Sequence, residues 1–401
     1  MKNQNFNLER IEKLIAQLPE VYQSIYVKGE LIREGVRKND WERLQVIKQY
    51  IKPEQTILDI GSNVGFFTIE LAKAFPENVF VTVEKQGSYA RLQAELIALE
   101  NLKNVVLINS EVTVDWLKRA AEACSYVDVT LLLSVLHHMK DAEEFLSAIN
   151  KISKSLIIEM PHPDESRVCG KDVLKNQLTV EKLSLIKPDF RKLDYEANTH
   201  CDPNLKRAFY YVDSPDYERK SIFPYIGYPL TPREYLIKTT NEGVTIHKSH
   251  LSQDVRCIPG FLLSDVAQIG KILYPKLPEF KKQVEQEFDR LDRENNVADI
   301  RPWNLLFTAK GLKFIDFKYT EDLDRELKYD KHRDTQIVNT YLDRVLGYSP
   351  SASPRIIVDG VFFQLYSTGI ARVWRSLLQQ WTKTEFAAHI IVLDRANTTP
   401  K

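Results

Sequence analysis

The residues Asp59-Ile60-Gly61-Ser62-Asn63-Val64-Gly65 follow a short apolar β run, Thr56–Ile60, and open a helix expected over Phe66–Phe75. Gly61 and Gly65 permit a tight turn and let a ligand lie against bare backbone. On an open α/β sheet such a turn stands at the carboxyl end of a strand, where ligands bind. A dinucleotide fingerprint would read GxGxxG. Here Asn63 holds the middle position and the last glycine is missing, which weakens a pyrophosphate-binding reading. S-adenosylmethionine has no pyrophosphate, and a looser turn suffices for it. Glu84 ends the next expected strand, where a carboxylate can accept hydrogen bonds from both ribose hydroxyls. Asp59 can hold the turn near the amino acid end of the same cofactor. Asn109-Ser110-Glu111 ends a third expected strand, where adenine would be flanked, and Ser134-Val135-Leu136-His137-His138 follows a fourth, close to where the reactive methyl would lie. The expected cofactor set is therefore Asp59, Gly61, Ser62, Asn63, Gly65, Glu84, Ser110, Glu111 and Ser134. His137 and His138 are candidate general bases for a hydroxyl acceptor. Each is equally readable as a hydrogen-bonded histidine that fixes the loop.

A second group lies far along the chain. Asp299-Ile300-Arg301-Pro302-Trp303-Asn304 precedes a hairpin that ends in Phe314-Ile315-Asp316-Phe317. This order suits phosphoryl transfer: Asp299 would orient or deprotonate a hydroxyl, while Asn304 and Asp316 would hold Mg²⁺ against the phosphates of ATP. A surface hairpin with solvated acids is the plain alternative.

The first group resembles class I S-adenosylmethionine-dependent methyltransferases over about residues 40–212. That resemblance implies an SN2 transfer from sulfonium to a nucleophile, with much of the rate coming from in-line positioning. The second group resembles the bifunctional kinase/methyltransferases that terminate O-antigen polysaccharide chains. Leu18-Pro19-Glu20-Val21-Tyr22-Gln23-Ser24-Ile25 and the hinge-like Pro259-Gly260-Phe261-Leu262-Leu263-Ser264-Asp265 are similar to segments of the same family. In that family the kinase phosphorylates a terminal sugar and the methyltransferase methylates the phosphate. This chain departs from the pattern in lacking a glycine-rich phosphate loop between about 213 and 258. Lys238 is a poor match to the strand lysine of kinases, and Phe317-Lys318 replaces the expected Phe-Gly. The departures imply a reduced kinase-like domain, weak or inactive as a kinase. Ile356-Ile357-Val358-Asp359-Gly360-Val361-Phe362-Phe363, with Gly369-Ile370-Ala371-Arg372-Val373, resembles the first strand, loop and helix of family 4 (GT-B) glycosyltransferases.

These groups need elements to carry them. Strands expected at Thr56–Ile60, Val79–Glu84, Val105–Asn109, Val127–Leu133 and Ser155–Met160 alternate with helices at Phe66–Phe75, Ala90–Leu99, Val114–Cys124 and Ala142–Lys151. Such alternation implies a parallel sheet covered on both faces. Arg207–Val212 reads as a late antiparallel strand closing the edge of a Rossmann-like, seven-stranded α/β sheet. The expected organisation is N-terminal helices at 1–50, the methyltransferase domain at 51–212 and a reduced kinase-like α+β domain at 213–346. A linker at 347–354 then leads to an incomplete GT-B-like βα stub at 355–401. Within the second half, helices are expected at Leu262–Leu273, Glu279–Asn295 and Asp330–Leu346, with strands at Tyr235–Thr239, Val244–His247, Leu305–Thr308 and Leu312–Phe317.

Composition narrows the function classes. Lys+Arg and Asp+Glu both number 55, so no long-range field favours nucleic acid. Cys124, Cys169, Cys201 and Cys257 form no CxxC pair, which argues for reduced thiols over zinc or a disulfide framework. The start MKNQNFNLER lacks an apolar secretory core, and the most apolar run, Val127–Leu136, is too short to span a bilayer. A cytoplasmic location follows as the expectation, at most peripheral to the inner face of the membrane. The function expected is methylation of a saccharide or saccharide-phosphate in surface polysaccharide biosynthesis, with polysaccharide-assembly proteins as partners. Three other readings stay open: a small-molecule O- or N-methyltransferase, a bifunctional methyltransferase/kinase, and a non-catalytic scaffold fragment of a larger glycosyltransferase protein.

Overall fold

The N-terminal helix α1 (Lys2–Ile15) buries Ile11 and Ile15. The next segment corrects an expectation, since residues 1–50 are expected to be helices. Strands β1 (Ile25–Val27) and β2 (Glu30–Arg33) instead form a hairpin. Its two-residue turn, Lys28-Gly29, has φ of 52° and 84°, the doubly left-handed geometry that matches strand twist. Helix α2 (Asp40–Lys48) follows. The computed structural model describes residues 2–122, 127–139, 141–162, 164–165, 190–199, 202, 204–213, 235–240, 243–248, 251–255, 260–293, 305–314, 331–346, 356–359, 369–381 and 390–393. They divide into two compact units, Met1–Leu346 and Gly347–Lys401.

The first unit is organised by a sheet. Its elements in chain order are β3 (Thr56–Ile60), α3 (Phe66–Ala74), β4 (Val79–Glu84), α4 (Gly87–Leu99), β5 (Val105–Asn109) and α5 (Val114–Glu122). They continue with β6 (Val127–Leu133), a 3₁₀ turn at Leu136–His138, α6 (Ala142–Ile149), β7 (Ser153–Met160), β8 (Arg191–Asn198) and β9 (Lys206–Asp213). Every residue of β3 and β4 is buried, as expected of parallel strands covered on both faces. Strands β5, β4, β3, β6 and β7 run parallel, while β9 is antiparallel to β7. Arg207–Val212 therefore does not close the sheet: β9 lies between β7 and β8, and β8 is the edge. The sequence Arg-Lys-Leu-Asp-Tyr-Glu-Ala-Asn hides β8 because charges belong on a solvent-facing edge strand.

Beyond 213, strands β10 (Tyr235–Thr240), β11 (Gly243–Lys248) and β12 (Leu251–Val255) form an antiparallel meander. After β13 (Gly260–Leu262) and α7 (Leu263–Ile269) the chain departs again from expectation. The helix expected over Leu262–Leu273 stops at Gly270, and β14 (Lys271–Tyr274) pairs antiparallel with β5. The sheet thus has eight strands in the order β14-β5-β4-β3-β6-β7-β9-β8, one more than the seven expected. Trp116 Nε1 donates to Ile269 O at 2.5 Å and Tyr274 Oη to Leu102 O at 2.6 Å, which fixes both ends of the added strand.

Helix α8 (Leu277–Arg293) buries Phe280, Val284, Phe288 and Leu291 on one face. That face packs in a common core with the hairpin β15 (Leu305–Thr308) and β16 (Gly311–Phe314) and with α9 (Lys331–Leu346). Gly311, with φ of 92°, makes the hairpin turn. In the second unit, β17 (Ile356–Asp359) and β18 (Ile390–Leu393) pair in parallel on either side of α10 (Gly369–Trp381) in sequence. No helix among the described residues is long and apolar enough to cross a membrane.

Candidate active site

The turn after β3 is built by backbone conformation. Gly61 (φ 71°), Asn63 (φ 58°) and Gly65 (φ 85°) are all left-handed, a region that glycine and asparagine enter most readily. Space adds a second restriction. A Cβ on Gly65 would lie 2.4 Å from Gln93 Nε2, and one on Gly61 would lie 2.9 Å from Val135 Cγ2. Gln93 is the post beneath the turn: it accepts from Ser62 Oγ at 2.9 Å and donates to Thr82 Oγ1 at 3.0 Å. The Phe66 amide at the start of α3 donates to Gln23 Oε1 at 3.2 Å, so a side chain from the N-terminal segment caps this helix. Neither glutamine stands out in the sequence as a site residue. Their only signal is position, Gln93 on the buried face of a helix and Gln23 in a segment then expected to be helical.

Glu84 faces the same turn from the end of β4. Its Oε2 accepts from the Asn63 amide at 2.8 Å and its Oε1 from the Gln86 amide at 2.7 Å. Burial pushes its carboxyl above the ordinary range, against the pull of those amides. Asp59 lies deeper, where Thr68 Oγ1 donates to its Oδ2 at 2.6 Å. Burial raises Asp59 to about 6, with the Glu84 charge adding to the effect. The pair can accept from a polar ligand, because each carboxylate oxygen has a second lone pair. Asn63 Oδ1 is buried with no hydrogen-bond partner among the described residues, which supplies one more acceptor.

The remaining expected residues separate by position. The Ser110 amide donates to Glu84 O at 3.2 Å, and Asn109 Nδ2 donates to the same carbonyl at 2.7 Å, so this strand end is tied to Glu84. Glu111 turns to solvent and pairs with Lys85 at 2.6 Å. Ser134 is buried, and Val135 beside it packs on Gly61. His137 is buried and His138 exposed, with ring centroids 4.0 Å apart. Asp299, Asn304, Asp316 and the four cysteines lie outside the described residues. Lys238 sits on β10 opposite Thr245.

A charged cluster that sequence reasoning missed stands next to Ser134. Glu159, near the end of β7, accepts from Arg37 Nη2 through Oε1, and through Oε2 from Arg43 Nη2 at 2.5 Å and Ser134 Oγ at 2.7 Å. Burial alone would raise Glu159. Arg43, Arg37 and Arg207 overcome it and hold the carboxyl at about 2. Arg207 itself makes a two-pronged pair with Glu165, Nε to Oε1 at 2.8 Å and Nη2 to Oε2 at 2.5 Å. The serine that this cluster grips has φ of 61°, a left-handed conformation that costs a non-glycine residue about 1–3 kcal/mol.

No protein-family model matches the chain, and no curated protein sequence matches it. Among solved structures it is similar to the bifunctional kinase-methyltransferase WbdD, at 18% identity over 77% of this chain and 81% of that one, with a TM-score of 0.43. It is also similar to the N-terminal domain of EvdMO1 with SAH bound, at 15% identity over 53% of this chain and 97% of that one, TM-score 0.41. An O-methyltransferase-like protein from Nostoc punctiforme matches 43% of this chain and 56% of its own at 16% identity, TM-score 0.32.

Proposed function

We propose that the chain is an S-adenosylmethionine-dependent methyltransferase acting on a saccharide or saccharide-phosphate in surface polysaccharide assembly. One observation carries the cofactor part: the Glu84 carboxylate at the end of β4 is bonded to the Asn63 amide inside the left-handed turn that ends β3. Ribose hydroxyls have an acidic acceptor there, and the bare backbone at Gly61 and Gly65 gives the ligand close approach. Asp59, Ser62 and Asn63 complete that wall; Ser110 and Glu111 flank the adenine side, and Ser134 borders the methyl. When bound, S-adenosylmethionine supplies a methyl group on a cationic sulfur. The chain's own contribution is placement. The loop from Ser134 to His138 packs on the glycine turn through Val135, which supports a reading of its two histidines as acceptor-side residues. His138, the exposed one, is suited to take a proton from an acceptor hydroxyl, while buried His137 orients it.

Calorimetric titration of S-adenosylmethionine into the intact chain, with Glu84→Ala as comparison, tests the reading. Micromolar binding corresponds to about −8 kcal/mol. Each lost hydrogen bond to a charged carboxylate costs roughly 1.5–3 kcal/mol, so the variant should bind at least tenfold more weakly. A folded parent chain that binds no cofactor would refute the proposal.

A further inference from the structure

Ser134 holds a backbone conformation that its side chain does not favour, at the point where β6 gives way to the loop carrying His137 and His138. Its hydroxyl is anchored to Glu159 Oε2 at 2.7 Å. Glu159 is anchored in turn by Arg37 and Arg43, both of which come from the N-terminal segment. Arg43 Nη1 continues to Asp40 Oδ1 at 3.2 Å, and Asp40 Oδ2 accepts from the Ser24 amide at 3.0 Å. Arg37, Arg43 and Glu159 are fully buried. Buried ion pairs of this kind are poor sources of stability compared with apolar packing, so their value lies in defining geometry. The geometry defined is that of one serine.

We propose that Glu159, clamped by Arg37 and Arg43, is a positioning residue: it fixes the left-handed turn at Ser134 and through it the orientation of His137 and His138 beside the glycine turn. A carboxylate held ionised and enclosed has no proton to exchange at neutral pH, so Glu159 works as a fixed acceptor and not as an acid or base. The catalytic meaning of this arrangement rests on the methyltransferase reading; the geometric claim does not.

The test is a double-variant cycle on the intact chain, read by nitrogen NMR titration of histidine side chains. His137→Gln and His138→Gln assign the two signals. Glu159→Gln and Ser134→Ala should each shift the titration of both histidines, and the double variant should show no more than the Ser134→Ala shift, because Glu159 acts through that serine. An effect of Glu159→Gln that persists unchanged in the Ser134→Ala background reports only the lost charge and overturns the proposal. Should Glu159→Gln fail to fold, Ser134→Ala keeps every ion pair and decides alone: unaltered histidine titration refutes positioning. A parent chain that binds no S-adenosylhomocysteine defeats the methyltransferase reading and leaves the histidine result to judge the geometry.

Discussion

Asp59 and Glu159 are both enclosed carboxylates, and their surroundings drive them in opposite directions. Burial brings Asp59 to about 6, whereas the arginines hold Glu159 at about 2 despite burial. The consequences for stability have opposite signs. Between about pH 4 and pH 6 the unfolded chain releases the Asp59 proton before the folded one does, so stability falls as pH rises. Glu159 contributes stability that is complete above its unfolded range and is lost as pH drops from about 4.5 toward 2. Asp59→Asn keeps an acceptor for Thr68 and removes the titration. It should flatten the decline in urea-midpoint stability between pH 4 and pH 6.5, by up to roughly 2–3 kcal/mol for a shift of about two units. An identical pH slope in parent and variant would show that Asp59 binds its proton equally well in the folded and unfolded chain.

At the scale of elements, β14 shows what local sequence leaves out. Lys271-Ile272-Leu273-Tyr274 continues the apolar spacing of the helix before it, and only Gly270 marks the change. The glycine is required by contact with β5: a Cβ there would lie 2.3 Å from Ile108 Cγ2 and 2.8 Å from Ser110 Cβ. Gly270→Ala should push β14 off its neighbour and destabilise the chain by about 1–3 kcal/mol, measured by denaturant unfolding. A variant as stable as the parent would mean that β14 contributes little. The central strands β3, β4, β5 and β6 were legible to the residue, because parallel strands buried on both faces read as unbroken apolar runs. The hairpin β1–β2 and the edge strand β8 were not, since short or charged strands gain their identity from what they pair with. The glycine turn and Glu84 stood out for the same local reason as the strands that carry them. The Arg37–Glu159–Arg43 cluster did not, because its members are 122 and 116 residues apart in sequence and only the fold joins them.

On the scale of the whole molecule, the sheet and the layer built from α7, α8 and α9 share one core in which Val106, Ile108 and Trp116 meet Phe261, Ile272 and Phe280. A chain shortened to residues 1–213 would bare the hydrogen-bonding edge of β5 together with that apolar surface. It should self-associate with rising concentration in sedimentation velocity, while residues 1–346 sediment as a single species. A monodisperse short chain would show that β5 needs no cover.

The same strand sets a timetable for biosynthesis. Asn109 pairs with Lys271, so β5 emerges from the ribosome long before its outer neighbour exists. At about 5–20 residues per second the interval is roughly 10–30 s. Throughout it the nascent sheet has an open flank, and chaperones that shelter unpaired strands have their longest opportunity to act on this protein.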